Sequence, residues 1–307
     1  MLRWLFRIFI LLIVVYIAAC AYFFNVAEIR NNHNNRDYTY EGLTPTSRPY
    51  VDDYQQRFSQ SGRQLTIQNR GLALDADYLP AARLTNKTVI VVHGFRSNKT
   101  GMKSYADMFY RLGYNTLTVD NRGHGQSQGN FVGFGWLDKN DVEAWIRYLV
   151  AQNKNVEIVP FGISMGGATV AMLSGDSLPA NVRAIIEDSG YSSVEDEVAY
   201  QAKQMYHLPK DPIIPTVSLF SQYIAGYSYQ EASTVKQLAK NTRPMLFMHG
   251  GADTYVPTRM VYSLYKADPD PRKQLWIGAG SGHVQAFGQH TAAYQAEVQK
   301  FLNLYFK

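Results

Sequence analysis

The sequence predicts an α/β protein with a doubly wound, mostly parallel sheet, a helical insertion late in the chain and an N-terminal transmembrane helix. Three observations predict it. From about residue 64, short β-branched runs alternate with stretches of helical spacing. One of those runs, TVIVVHG (88–94), is continuously apolar and ends at glycine, the pattern of a strand buried on both faces. Residues 8–24 are uniformly apolar and show no polar face.

Composition bounds the answer. A chain of 307 residues with 46% hydrophobic and 18% charged residues is globular rather than disordered. The net charge is +5, but the first 36 residues hold four arginines and one glutamate, so most of the excess lies there. No basic block suggests a nucleic-acid surface. The single cysteine, Cys20, excludes an intramolecular disulfide, and no Cys/His cluster has metal-ligand spacing. Neither a metal nor a cofactor is expected, and the sequence leaves oligomeric state open.

The elements follow in order. Arg3 and Arg7 precede the run IFILLIVVYIAACAYFF (8–24), long enough to cross a bilayer as a helix. Residues 1–27 read first as an uncleaved signal anchor, with the main domain outside the cell membrane. Two alternatives stand beside that reading. Ile17-Ala18-Ala19-Cys20 resembles a lipobox, which would anchor a lipoprotein at Cys20, and a cleaved secretory signal is the third. Residues 28–63 read as a juxtamembrane tether, Asn-rich at its start, with His33 a solvated residue. On this reading the anchor is separable from the rest.

The main domain spans 64–307. QLTIQ (64–68) and LALDADYLP (72–80) flank a turn at 69–71 and read as paired strands. NTLTVD (115–120), VEIVPFG (156–162), VRAIIED (182–188), PMLFMHG (244–250) and KQLWIG (273–278) read as further strands beside 88–94. Helices are expected at Leu137–Gln152, from Met165 onward, and at Thr291–Tyr305. Residues 192–240 break the rhythm. That interval is tyrosine-rich and proline-punctuated, and it reads as a lid or cap. Its aromatics, including Tyr200, Tyr206, Phe220, Tyr223, Tyr227 and Tyr229, either line a mobile lid or pack a fixed subdomain.

Chemistry concentrates at strand ends. Gly162–Ile163–Ser164–Met165–Gly166 lies between a strand and a helix, where a sharp turn exposes the serine and demands small neighbours. A serine hydroxyl needs a base to remove its proton, and that base needs an orienting acid. Asp253 follows the strand 244–250 and His283 follows 273–278. Asp188, ending the strand 182–188, is the alternative acid. Sites of α/β sheets form at the C-terminal ends of strands, where all of these residues lie.

With HGFRSNK, DNRGHGQS, GISMGG, HGGADTYVP and GSGH in this order, the chain from 64 to 307 resembles the α/β-hydrolase family. It looks closest to membrane-anchored, Bem46-like cell-surface serine hydrolases of Gram-positive bacteria. The resemblance implies Ser164 as nucleophile, His283 as general base and then acid, and Asp253 as the orienting carboxylate. It implies an oxyanion hole from the backbone N–H groups of Phe95 and Met165. His93 and His124 would be structural, and His249 a packing residue.

The expected reaction is hydrolysis of a carboxylic ester with a small-molecule acyl substrate. A peptidase or thioesterase of the same fold is the alternative. A serine rather than an aspartate at 164 argues against dehalogenase-like chemistry. A non-catalytic binding protein of this fold would typically lack a triad member, and none is missing here.

Overall fold

The structure, a computed structural model, describes residues 1–30 and 43–306. His33 and most of the Asn-rich stretch lie outside the described residues. Eight strands form one sheet: β1 (Arg63–Asn69), β2 (Leu72–Leu79), β3 (Lys87–Val92), β4 (Asn115–Val119), β5 (Glu157–Ile163), β6 (Ile185–Asp188), β7 (Met245–Gly250) and β8 (Lys273–Gly278). Their order is β1-β2-β4-β3-β5-β6-β7-β8. The pairs β1/β2 and β2/β4 are antiparallel and all others parallel.

The central strands are buried on both faces, which is why they read as continuous apolar runs. Ile90 and Val92 of β3 join one core with Leu117, Trp145, Ile158 and Phe247. Val89 and Val91 face the other core with Phe109, Phe161, Met248 and Phe301. The first layer is closed by α4 (Asp138–Gln152), α5 (Met165–Leu173) and α9 (Arg259–Ala267). The second is closed by α3 (Lys103–Arg111), the short α10 (Ala286–Gln289) and α11 (Thr291–Tyr305).

The N-terminal run forms α1 (Leu2–Glu28), long and apolar enough to cross a membrane. Its two halves differ. Leu2–Val15 is exposed throughout, whereas Cys20, Phe24 and Glu28 are buried one helical turn apart. Cys20, the alternative lipid attachment point, is 1% exposed inside an uninterrupted helix.

Part of the segment expected as a tether is ordered. Pro49 starts α2 (Arg48–Ser61), which packs on α3 through Tyr54, stacked with Phe58 and clustered with Leu79 and Ala106. Arg57 and Arg111 both pair with the buried carboxylate of Asp107.

Residues 192–240 fold as a helical cap with α6 (Val194–Tyr206), α7 (Ile213–Phe220), a π turn (Ser221–Ala225) and α8 (Thr234–Leu238). Its core holds Tyr227 and Tyr229 with Val132, Phe134 and Met165 from the body and Cys20 and Phe24 from α1. The aromatics divide accordingly: Tyr227 and Tyr229 are buried packing residues, whereas Tyr223 is exposed.

Candidate active site

Ser164 sits where β5 turns into α5, with φ +53° and ψ −120°. That backbone region is strained for a residue with a Cβ and aims the side chain out of the sheet. Two glycines make the turn possible. A Cβ on Gly162 would lie 2.1 Å from the Gly166 carbonyl oxygen, and one on Gly166 would lie 2.2 Å from that of Val92. The Ser164 N–H donates to Asp188 O at 2.8 Å, tying the elbow to β6. Met165 is the first residue of α5, so its N–H has no partner one turn back.

Asp253 and His283 reach the elbow from the loops after β7 and β8. His283 Nε2 is 2.8 Å from Ser164 Oγ, and its Nδ1 is 2.8 Å from Asp253 Oδ2. The carboxylate of Asp253 only accepts, so Nδ1 carries the ring hydrogen and Nε2 is left to accept the serine proton. Burial works against the charge on Asp253, but hydrogen bonds from His249 and His283 outweigh it and bring the carboxyl down to about 2. Its Oδ1 accepts the N–H groups of Tyr255 at 2.9 Å and Val256 at 3.0 Å. Tyr255 lies against the His283 ring, with centroids 4.9 Å apart.

His249 does more than pack. Its Nε2–H lies 2.9 Å from Val256 O and 3.2 Å from Asp253 Oδ2. Burial disfavours its charge, yet the hydrogen bond to Asp253 and the nearby Glu187 carboxyl raise it above the ordinary imidazole range. The fixed orientation of Asp253 therefore has a donor that sequence spacing alone does not show.

The alternative acid is engaged elsewhere. Asp188 accepts from Tyr294 Oη at 2.8 Å and Ser189 Oγ at 2.8 Å. Its neighbour Glu187 is fully buried, accepts from Gly190 N–H at 2.9 Å, and is pushed up to about 8 by burial.

Phe95 stands on the loop after β3, facing the elbow. A Cβ on the preceding Gly94 would lie 3.2 Å from Ser164 Cβ, so the two chains are in contact there. Two buried histidines hold this loop. His93 Nδ1–H donates to Gly94 O at 2.7 Å, and its Nε2 accepts from Asn121 N–H at 3.0 Å. His124 Nε2 accepts from Arg96 N–H at 3.3 Å, and its Nδ1–H donates to Arg122 O at 2.9 Å. Burial lowers both rings, to about 4 and about 3, so they stay neutral acceptors.

A pocket opens beside Ser164. Its walls are Phe95 and Phe134 from the body, Val198, Met205 and Val217 from the cap, and Phe23, Val26 and Ala27 from α1. The α1 contribution is the largest departure from the sequence reading, which keeps residues 1–27 apart from the site. Among the described residues one acid lines this largely apolar space: Glu197, pushed up to about 7 by burial and accepting from Gln201 Nε2 at 2.7 Å. Its place on the inner face of a cap helix is not marked by any sequence motif. Among the described residues no group of three or more His, Cys, Asp or Glu could hold a metal ion.

Comparison with known proteins agrees with this architecture. The family described as serine aminopeptidase, S33, matches over residues 84–216. The chain is 29% identical over 227 residues to the uncharacterized protein YqkD of Bacillus subtilis, covering 74% of each chain. It superposes on the esterase Pf2001 of Pyrococcus furiosus with a TM-score of 0.66 at 21% identity, covering 80% of this chain and 93% of that one. Est1E of Butyrivibrio proteoclasticus, solved with ferulic acid, gives 0.64 at 20% identity over 79% and 99%. The fold is the α/β-hydrolase fold.

Proposed function

We propose that this chain is a membrane-anchored serine hydrolase that cleaves carboxylic esters through an acyl-enzyme on Ser164. The observation that carries the reading is the unbroken chain Ser164 Oγ–His283–Asp253, with 2.8 Å at both links. Ser164 Oγ attacks the ester carbonyl carbon as His283 Nε2 takes its proton. The Phe95 and Met165 N–H groups stabilise the oxyanion. His283 then gives the proton to the departing alcohol as the carbon–oxygen bond breaks. Water repeats the sequence and releases the acid. Asp253, ionised down to about pH 2, stabilises the imidazolium in both steps.

The apolar walls of the pocket favour an ester with an apolar acyl group. The esterase likenesses agree with this but by themselves speak only to fold. Burial of Cys20 and Phe24 against the cap favours the uncleaved anchor, because removing them would open a packed core. This reading keeps the chain in line with the Bem46-like surface hydrolases. A fluorophosphonate probe tests it. We expect Ser164 to be labelled, and Ser164→Ala to abolish labelling and cut turnover of p-nitrophenyl butyrate by at least about 10³-fold. Equal turnover by the mutant overturns the reading.

A second reading rests on Glu197. In an aminopeptidase, that carboxylate inside the pocket would meet the substrate's free amine. Glu197→Gln would then raise KM for aminoacyl amides at least tenfold and leave p-nitrophenyl butyrate unaffected. Without aminoacyl amide turnover, the ester reading stands alone.

A further inference from the structure

The pocket beside Ser164 is closed on one side by the same helix that carries the N-terminal apolar run. A bilayer core about 30 Å thick needs about 20 helical residues. Counted from Leu2, that span ends near Ala21; counted from Ile8, it ends near Ala27. Either way α1 leaves the hydrocarbon within the stretch that packs on the cap. Tyr16 Oη donates to Pro212 O at 2.9 Å at the start of α7, and the Phe24 ring lies 6.3 Å from that of Phe220. At 1.5 Å per residue, the pocket residue Phe23 is only about 10 Å along the axis from Tyr16. Glu28 then fixes the helix end, accepting from Tyr229 Oη at 2.7 Å and Ser221 Oγ at 3.0 Å. The cap and the pocket are therefore tied directly to the helix long and apolar enough to cross a bilayer.

The cap element beside α1 has the chemistry of an interfacial helix. Ile213–Ala225 contains no charged residue. Its inner positions, Ile214, Val217 and Ser221, are buried. Gln222 apart, its outer positions are apolar and open: Leu219 is 50% exposed, Tyr223 83% and Ile224 53%. A surface of this kind, continuous with a membrane-crossing helix, matches the acyl–headgroup boundary of a bilayer. Met205 and Tyr206 line the pocket and are 61% and 43% exposed, and the Tyr206 ring meets the Phe23 ring of α1 at 5.2 Å.

We propose that the outer face of Ile213–Ala225 rests in the bilayer surface, and that the pocket receives the acyl chain of an ester lipid resident in that bilayer by parting the Phe23–Tyr206 contact between α1 and α6. The inference rests on the serine hydrolase reading and names its substrate class. The chain leaves the bilayer for a pocket walled by Phe23, Val26 and Val217, while the ester carbonyl meets Ser164. Ser164 takes the acyl group, the lipid's alcohol leaves with the proton from His283, and water releases a free fatty acid.

The test uses the full chain reconstituted in vesicles of dioleoylphosphatidylcholine with dioleoylglycerol, reading oleate release. The same preparation is assayed on soluble p-nitrophenyl butyrate. The substitutions are Leu219→Glu, Tyr223→Glu and Ile224→Glu together, and Tyr223→Glu alone should the triple variant melt early. None of these residues lines the pocket. We expect Ser164-dependent oleate release, a drop of at least tenfold in the triple variant, a smaller drop in the single one, and soluble ester turnover within twofold in both. Because α1 still anchors every variant, such a drop reports cap docking rather than location. Soluble turnover without oleate release, or oleate release untouched by the substitutions, overturns this inference and leaves the hydrolase reading intact. Absence of Ser164-dependent turnover on the soluble ester overturns both.

Discussion

At the scale of single residues, Asp253 and Asp188 show how two strand-end carboxylates take different work. Asp253 meets His283 Nδ1, while Asp188 is spent on Tyr294 and Ser189. Asp253→Asn is expected to slow ester turnover by about 10⁴-fold, because an amide stabilises the wrong imidazole tautomer. Asp188→Asn should change turnover far less and act mainly on the melting temperature. The opposite ranking in a p-nitrophenyl ester assay would move the acid to β6. Glu187 sets a pH dependence of its own. The folded chain keeps its proton up to about pH 8, whereas the unfolded chain releases it near the ordinary 4.5. The folded state binds the extra proton in that window, so the group's contribution is full below 4.5 and is lost as pH rises through 8. Glu187→Gln should flatten the fall of thermal stability between those limits, measured by melting across pH.

At the scale of elements, legibility followed burial. The central strands were readable because strands buried on both faces are written as unbroken apolar runs, and β1 and β2 because short β-rich runs flank the turn at 69–71. Ser164, Asp253 and His283, which the structure brings within hydrogen-bond reach of one another, were readable as candidates because each follows a strand end within a few residues. The helix α2 was not read, although Val51, Tyr54 and Phe58 fall on one helical face after Pro49. The adjoining Asn-rich stretch masked that signal. Glu197 was missed as a site neighbour because the cap and the loop after β7 meet only in three dimensions, whereas His249, on β7 and four residues before Asp253, was read as packing because no motif marks the turn that folds Asp253 back onto it. The elbow gives the sharpest test at this scale. Gly162→Ala must move the Gly166 carbonyl, which a Cβ would approach to 2.1 Å. Overpacking against backbone costs about 1–3 kcal/mol or more. The expected result is a lower melting temperature together with loss of fluorophosphonate labelling, since the same shift displaces Ser164.

At the scale of the whole molecule, α1 and the α/β body are one packed unit. The sequence draws a boundary near residue 27 because the composition changes there, from apolar to Asn-rich. Packing ignores that boundary. Arg96 Nη2 donates to Val26 O at 2.8 Å, and Arg30 reaches Gly125 O at 2.9 Å and Ser127 O at 2.6 Å. Val132 N–H donates to Glu28 O at 2.7 Å. A chain starting at Glu28 would keep the sheet and the triad but lose Cys20 and Phe24 from the cap core and Phe23, Val26 and Ala27 from the pocket wall. Exposing the cap surface beneath one buried phenylalanine costs about 3–5 kcal/mol. In a chain of this size each kcal/mol shifts the midpoint by about 2–4 °C, so a fall of roughly 6–20 °C is expected. The triad has no hydrogen bond to the lost segment, so kcat on p-nitrophenyl acetate should stay within severalfold of the full chain. Esters with longer acyl groups lean on the missing wall, and their KM should rise at least tenfold. Steady-state kinetics across acyl lengths, with melting curves on the same samples, would decide. Unchanged stability and chain-length preference would restore the separable anchor that composition suggests.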